Sequence, residues 1–105
     1  MPSLLGQKIK ELRQRLGLTL EELANAADSS KSYMWEIENK DVARPSGEKL
    51  NRIAAVLGVT PEYLVDASRM ELTEDDQDRA FYRKFQTLDT EMKAKLKRIL
   101  DVLDE

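Results

Sequence analysis

A helix stop set almost directly against a helix start is the feature that most restricts what this chain can fold into. Leu5, Ile9, Leu12 and Leu16 recur at three- and four-residue spacing, and Gly17 follows where a left-handed residue ends a helix at least strain. Two residues on, Thr19-Leu20-Glu21-Glu22 reads as a capping box: the Thr19 hydroxyl is placed for the Glu22 amide, and the Glu22 carboxylate for the Thr19 amide. Two helices joined by so short a connection must pack as neighbours.

The same punctuation continues along the chain. Helix 2 runs to about Ala27, Asp28-Ser29 breaks it, and Ser30 caps a third helix with Tyr33, Met34 and Ile37 inward, ending near Asn39. After a polar loop from Lys40 to Pro45, Ser46 precedes a helix carrying Leu50, Ile53, Ala54 and Leu57, stopped by Gly58. Thr60-Pro61 caps a short fifth helix through Leu64, with Pro where its missing N–H is not needed. Residues 66–76 thin out to Ala67, Met70 and Leu72, a linker by composition. Thr73 then opens a helix bearing Phe81, Phe85 and Leu88, Asp89-Thr90 interrupts it, and a last helix bears Met92, Leu96, Ile99 and Leu103. The expected fold class is all-α: a five-helix domain over residues 1–66, a linker over 67–76 and a two-helix hairpin over 77–105.

Composition narrows the chemistry. The 105 residues contain no Cys and no His, which removes disulfides, thiolate metal sites and the commonest general base. Adjacent carboxylates such as Glu21/Glu22 and Asp75/Asp76 point apart on a helix and have capping or dipole explanations, so neither an enzyme nor a metal or cofactor site is expected. No apolar run is long enough to span a bilayer and no secretory leader opens the chain, so a cytoplasmic protein without a membrane partner is expected. The net charge of −3 at first argues against a polyanionic partner. Residues 1–65, however, hold nine Lys/Arg against nine Asp/Glu, and the excess acid lies beyond them. A neutral domain binds DNA when its cations share one face.

The run LRQRLGLTLEELANAADSSKSYMWEIENKDVARPSGEKLNRIAAVLGVTPEYL resembles the Cro/CI-type (Xre) helix-turn-helix regulators, which include the lambdoid phage repressors. The likeness spans residues 5–65 without a gap and takes in LGL before helix 2, EELA within it, IEN at the end of helix 3 and LGV after helix 4. It implies a sequence-specific, double-stranded-DNA-binding transcriptional regulator, a repressor, with helix 3 in the major groove. Lys31, Ser32, Trp35 and Glu36 then fall where base edges are read. Lys31 can donate to guanine and Ser32 to either base type. Trp35 either lies against thymine methyls or folds back over helix 2 or the next loop, and Glu36 either accepts from cytosine N4 and rejects wrong sequences or is simply solvated. Asn39, Lys40 and Arg44 fall where the family meets the sugar–phosphate backbone; Tyr33 is divided between packing and a phosphate hydrogen bond. Arg13 and Glu38 match positions that form a structural ion pair.

Three positions depart from the family pattern. Asp28 stands at a turn where Gly is usual, Ser29 replaces an apolar turn residue, and Leu20 replaces a phosphate-binding Gln, which implies weaker binding per monomer. A homodimer follows as the expectation, because a hairpin this short cannot bury Phe81, Phe85, Leu88, Met92, Leu96, Ile99 and Leu103 by itself. Its apolar side either pairs with a twin or folds back on the amino-terminal bundle. The resemblance also leaves room for a protein partner, a toxin or a peptidase, acting on the tail.

Overall fold

The computed structural model describes residues 2–42 and 44–104, and the regular elements among them are all helices: α1 (Leu4–Arg15), α2 (Leu20–Ala26), α3 (Lys31–Asn39), α4 (Gly47–Leu57), α5 (Pro61–Val65), α6 (Glu74–Gln86) and α7 (Thr90–Leu103). Each start is fixed by its own sequence. Ser3, Thr19, Ser30, Ser46, Thr60, Thr73 and Asp89 each accept, through a side-chain oxygen, from the amide three residues on. One such cap contributes about 1 kcal/mol. Thr19 and Thr73 complete full capping boxes, with Glu22 and Asp76 reaching back to the cap amide. Gly17 (φ 71°) and Gly58 (φ 72°) supply left-handed stops after α1 and α4.

The apolar stripes of α1 to α5 converge. Ile9 and Leu12, Leu23 and Ala24, Met34 and Ile37, Ile53, Ala54 and Leu57, and Val59, Tyr63 and Leu64 form one buried cluster. Within it α1 and α3 approach closely at Gly6, where an added Cβ would stand 2.3 Å from the Ile37 carbonyl oxygen. A side chain of any kind at residue 6 would push the two helices apart.

Residues 67–76 lack apolar density, yet polar contacts tie them down. The Lys8 ammonium, fully buried, donates to the carbonyls of Tyr63 and Asp66, each at 2.6 Å, and lies 4.2 Å from the Tyr63 ring centroid. Burial lowers the Lys8 pKa, and the nearby Asp66 charge opposes that shift. The Tyr63 hydroxyl donates to the Met70 carbonyl at 2.6 Å, and Leu72 packs on the core. Arg69 then forks onto both oxygens of buried Asp76, each at 2.6 Å, at the first turn of α6. A connection that composition reads as a linker is thus fixed in place by hydrogen bonds that no hydropathy pattern displays.

Beyond this elbow the molecule is open, and its extents of 51 × 28 × 24 Å reflect a hairpin projecting from the bundle. Phe85 receives the ammonium groups of Lys93 and Lys97 from α7 at 5.7 and 5.9 Å. None of α7 is buried; Ile99, Leu100, Val102 and Leu103 are each more than half exposed. No helix among the described residues is long and apolar enough to cross a membrane.

Two measurements bear on these contacts. Gly6→Ala should raise helix propensity and still destabilise the protein by about 1–3 kcal/mol in urea unfolding, because overpacking at the α1–α3 contact outweighs the propensity gain. The hydrogen bonds from Arg69 hold the Asp76 carboxyl well below the usual carboxylate range. A depressed carboxylate stabilises the fold above its unfolded pKa near 4, and that contribution is lost as the pH falls through the folded value. Acidification below about pH 4 should therefore weaken the wild type more steeply than Asp76→Asn in denaturant titrations.

Candidate nucleic-acid interface

The site is built on α3, held from behind by α1. Arg13 Nε donates to Glu38 Oε2 at 2.7 Å and its Nη2 to Oε1 at 3.0 Å, while Nη1 donates to the Leu18 carbonyl at 2.8 Å. One guanidinium thus fastens α3 and the turn that leads into α2. The Glu38 side chain is 1% exposed, and the hydrogen bonds to its carboxylate raise the Arg13 pKa. With Met34, Ile37 and Glu38 turned inward, the other side of α3 must face solvent.

Lys31, Ser32, Trp35 and Glu36 are all exposed there. The Trp35 ring is 47% exposed and lies under the Lys40 ammonium at 5.7 Å, so it stands off the surface as an apolar plate beside a cation. Asn39, half-buried, donates from Nδ2 to the Trp35 carbonyl at 2.9 Å. Tyr33 is half-buried and packs against the core. Arg44 is exposed in the loop before α4. Among the described residues, Lys31, Lys40 and Arg44 make no ion pair, whereas Arg13, Arg15, Arg52, Arg69, Arg79 and Arg83 all do. Lys31 at the start of α3 and Lys40 at its end, over Trp35, are thus uncompensated cations among the described residues on its outward side, whereas Arg44 lines a groove between α4–α5 and α6.

The α2–α3 turn survives without its usual Gly. Asp28 adopts φ 55°, and the Ser29 amide donates to the Ala24 carbonyl at 2.8 Å. Two α4 side chains brace the turn from outside: Lys49 Nζ donates to the Asp28 carbonyl at 2.5 Å, and Arg52 meets the Asp28 carboxylate at 3.4 Å. Neither brace is legible in the sequence, because nothing in the period of α4 says which element its polar side meets. Lys8 was missed as well, although a lysine one residue before Ile9 and four before Leu12 lies on the edge of an apolar stripe. Leu20 packs partly against the core.

A helix-turn-helix domain family matches residues 4–67, which takes in α1 to α5 and the turn just described. The chain belongs to this helix-turn-helix family. Over 63 residues it is 40% identical to the HTH-type transcriptional regulator SinR of Bacillus subtilis (strain 168), a match that covers 60% of this chain and 57% of that relative. A crystal structure of SinR, the master regulator for biofilm formation, in complex with DNA is similar at a TM-score of 0.56 and 40% identity, covering 59% of this chain and 98% of that one. A SinR/SinI complex is similar at a TM-score of 0.59 and 28% identity, and it covers 95% of this chain and 94% of the other. The likeness to the DNA complex is thus confined to the helix-turn-helix part, while that to the SinR/SinI complex extends through the hairpin.

The Arg13–Glu38 pair yields a direct check on the helix-turn-helix scaffold. Arg13→Met alone strands a buried carboxylate and should cost about 3 kcal/mol, whereas Arg13→Met combined with Glu38→Leu should recover most of that loss in a double-mutant cycle.

Proposed function

We propose that this protein is a transcriptional regulator that binds operator DNA as a homodimer in the cytoplasm and represses by occupying its site. The observation that carries the reading is the uncovered outward side of α3, where Lys31, Ser32, Trp35 and Glu36 are exposed. The family match and the similar SinR–DNA complex support the same reading. Lys31 at the helix start is assigned to guanine or phosphate, Ser32 to a base edge, Trp35 to thymine methyls, and Glu36 to cytosine N4 or to rejection of wrong bases. Lys40, Arg44, Asn39 and the Tyr33 hydroxyl are assigned to the sugar–phosphate backbone, fixing register rather than reading sequence. The role is one of binding, not catalysis.

A net-neutral domain has little non-specific attraction for DNA, so affinity must come from presenting two recognition helices together. The exposed Phe81, Met92, Ile99 and Leu103 and the half-buried Phe85, Leu88 and Leu96 of the hairpin supply a reason to pair, and all seven are assigned to that contact. A two-fold dimer would read half-sites roughly 10 base pairs apart. The similar SinR/SinI complex, which matches the chain through α7, favours a second use of the same hairpin as a surface for a partner protein.

Gel shifts across a salt series, on the DNA upstream of its own gene, test the DNA assignment. Lys31→Glu with Arg44→Glu should abolish binding. Lys40→Ala alone should make the dependence of log affinity on log salt shallower by about 0.9, the share of one neutralised phosphate. Unchanged binding by the double variant, or a wild type that ignores every duplex at low salt, removes the regulator reading. Sedimentation that finds only monomers at high micromolar concentration removes the dimer.

A further inference from the structure

The end of α2 makes the nested pair of hydrogen bonds that stops a helix on a left-handed residue, but it lacks both of the usual supports. The Asp28 amide donates to the Asn25 carbonyl at 3.2 Å, and the Ser29 amide to the Ala24 carbonyl at 2.8 Å. The left-handed residue, usually Gly, is Asp28 at φ 55°, and the next residue, often apolar and packed back on the helix, is Ser29. The missing support comes from α4, where Lys49 Nζ donates to the Asp28 carbonyl at 2.5 Å. That oxygen and the Ser29 N–H belong to one planar peptide unit, so Lys49 holds one edge of it and the Ala24 carbonyl holds the other. With both edges held, the direction in which Ser29 and Ser30 leave α2 is fixed.

Lys49 stands where local preference disfavours it. It is the third residue of α4, the place at which Thr19 and Thr73 are answered by Glu22 and Asp76. Ser46 caps the Lys49 amide at 3.2 Å, but an ammonium cannot return the bond to the cap amide. A cation there also opposes the helix dipole. Its platform is rigid, because the neighbouring Leu50 and Ile53 are buried. Arg52, held by Glu48 at 2.7 Å, reaches the Asp28 carboxylate only at 3.4 Å on an exposed surface, a weaker contact. Just beyond the held peptide, the Ser30 hydroxyl caps α3, and Lys31 and Ser32 follow at once. We propose that Lys49 is a positioning residue for operator recognition: through the Asp28–Ser29 peptide it sets the amino end of α3 and so aims Lys31 and Ser32, without touching DNA itself. This rests on the regulator reading. Base-edge hydrogen bonds are directional, whereas attraction to phosphates tolerates displacement, so holding this peptide serves discrimination more than affinity for DNA at large.

The test compares full-length wild type and Lys49→Met, which keeps the side-chain stem and removes the donor, on operator and scrambled duplexes across a salt series. Lys49→Met should weaken operator binding about tenfold, the scale of one lost base contact. Binding to the scrambled duplex and the slope of log affinity against log salt should stay as in the wild type. In an Asp28→Gly background, where the left-handed turn holds itself, Lys49→Met should cost less than about twofold. Without DNA, Lys49→Met should speed hydrogen exchange at the Ser29 amide several-fold and leave the amides of α1 protected. Equal weakening on both duplexes with a slope shallower by about 0.9 makes Lys49 a phosphate contact and overturns the positioning role. Unchanged operator binding, or the same loss with and without Asp28→Gly, overturns it as well and leaves the regulator reading standing. A wild type that ignores every duplex removes both readings, and Ser29 exchange then reports only whether the peptide is held.

Discussion

The close fit of α1 on α3 is the constraint on which the rest of this molecule depends. Gly6 lets the two backbones approach until only a hydrogen fits between them, and Arg13 fastens the buried Glu38 carboxylate from the same side. A buried ion pair of this kind gives little net stability against an apolar replacement, but it does fix the rotation of one helix on another. That rotation decides which side of α3 is left outside. The exposed position of Lys31, Ser32, Trp35 and Glu36 is therefore a consequence of what happens on the far side of the helix.

Around that contact, stability and presentation are divided between different kinds of interaction. Apolar burial welds α1 to α5 into one cluster, and side-chain caps settle where each helix begins. The orientation of the hairpin is a polar matter. Lys8, Tyr63, Arg69 and Asp76 form a chain of hydrogen bonds from the interior of the bundle to the first turn of α6. Such contacts are directional where apolar packing is not, so they set the angle at which the tail leaves the domain.

The turn before α3 illustrates how a departure from a family pattern is absorbed. Asp28 takes a left-handed conformation that Gly would adopt at less strain, and α4 compensates by sending Lys49 to its carbonyl and Arg52 to its carboxylate. The substitution and its support sit more than 20 residues apart in the chain, and the sequence shows the first without the second.

The helices themselves were legible in the residues. Capping oxygens, Gly17 and Gly58, and the three-and-four spacing of apolar side chains act within a single turn, so local order suffices to place their starts and stops. The family likeness, carried by residues 5–65, was legible for the same reason: it consists of these local signals in a fixed sequence. What only the tertiary structure decided were contacts between elements far apart in the chain. That Lys8 is buried beneath Tyr63, that Arg69 ties the connection to Asp76, and that α4–α5 and α6 enclose a groove all depend on how the helices are turned against each other. Periodicity says that a helix has an inner and an outer side; it does not say what the polar atoms near the boundary between them will meet.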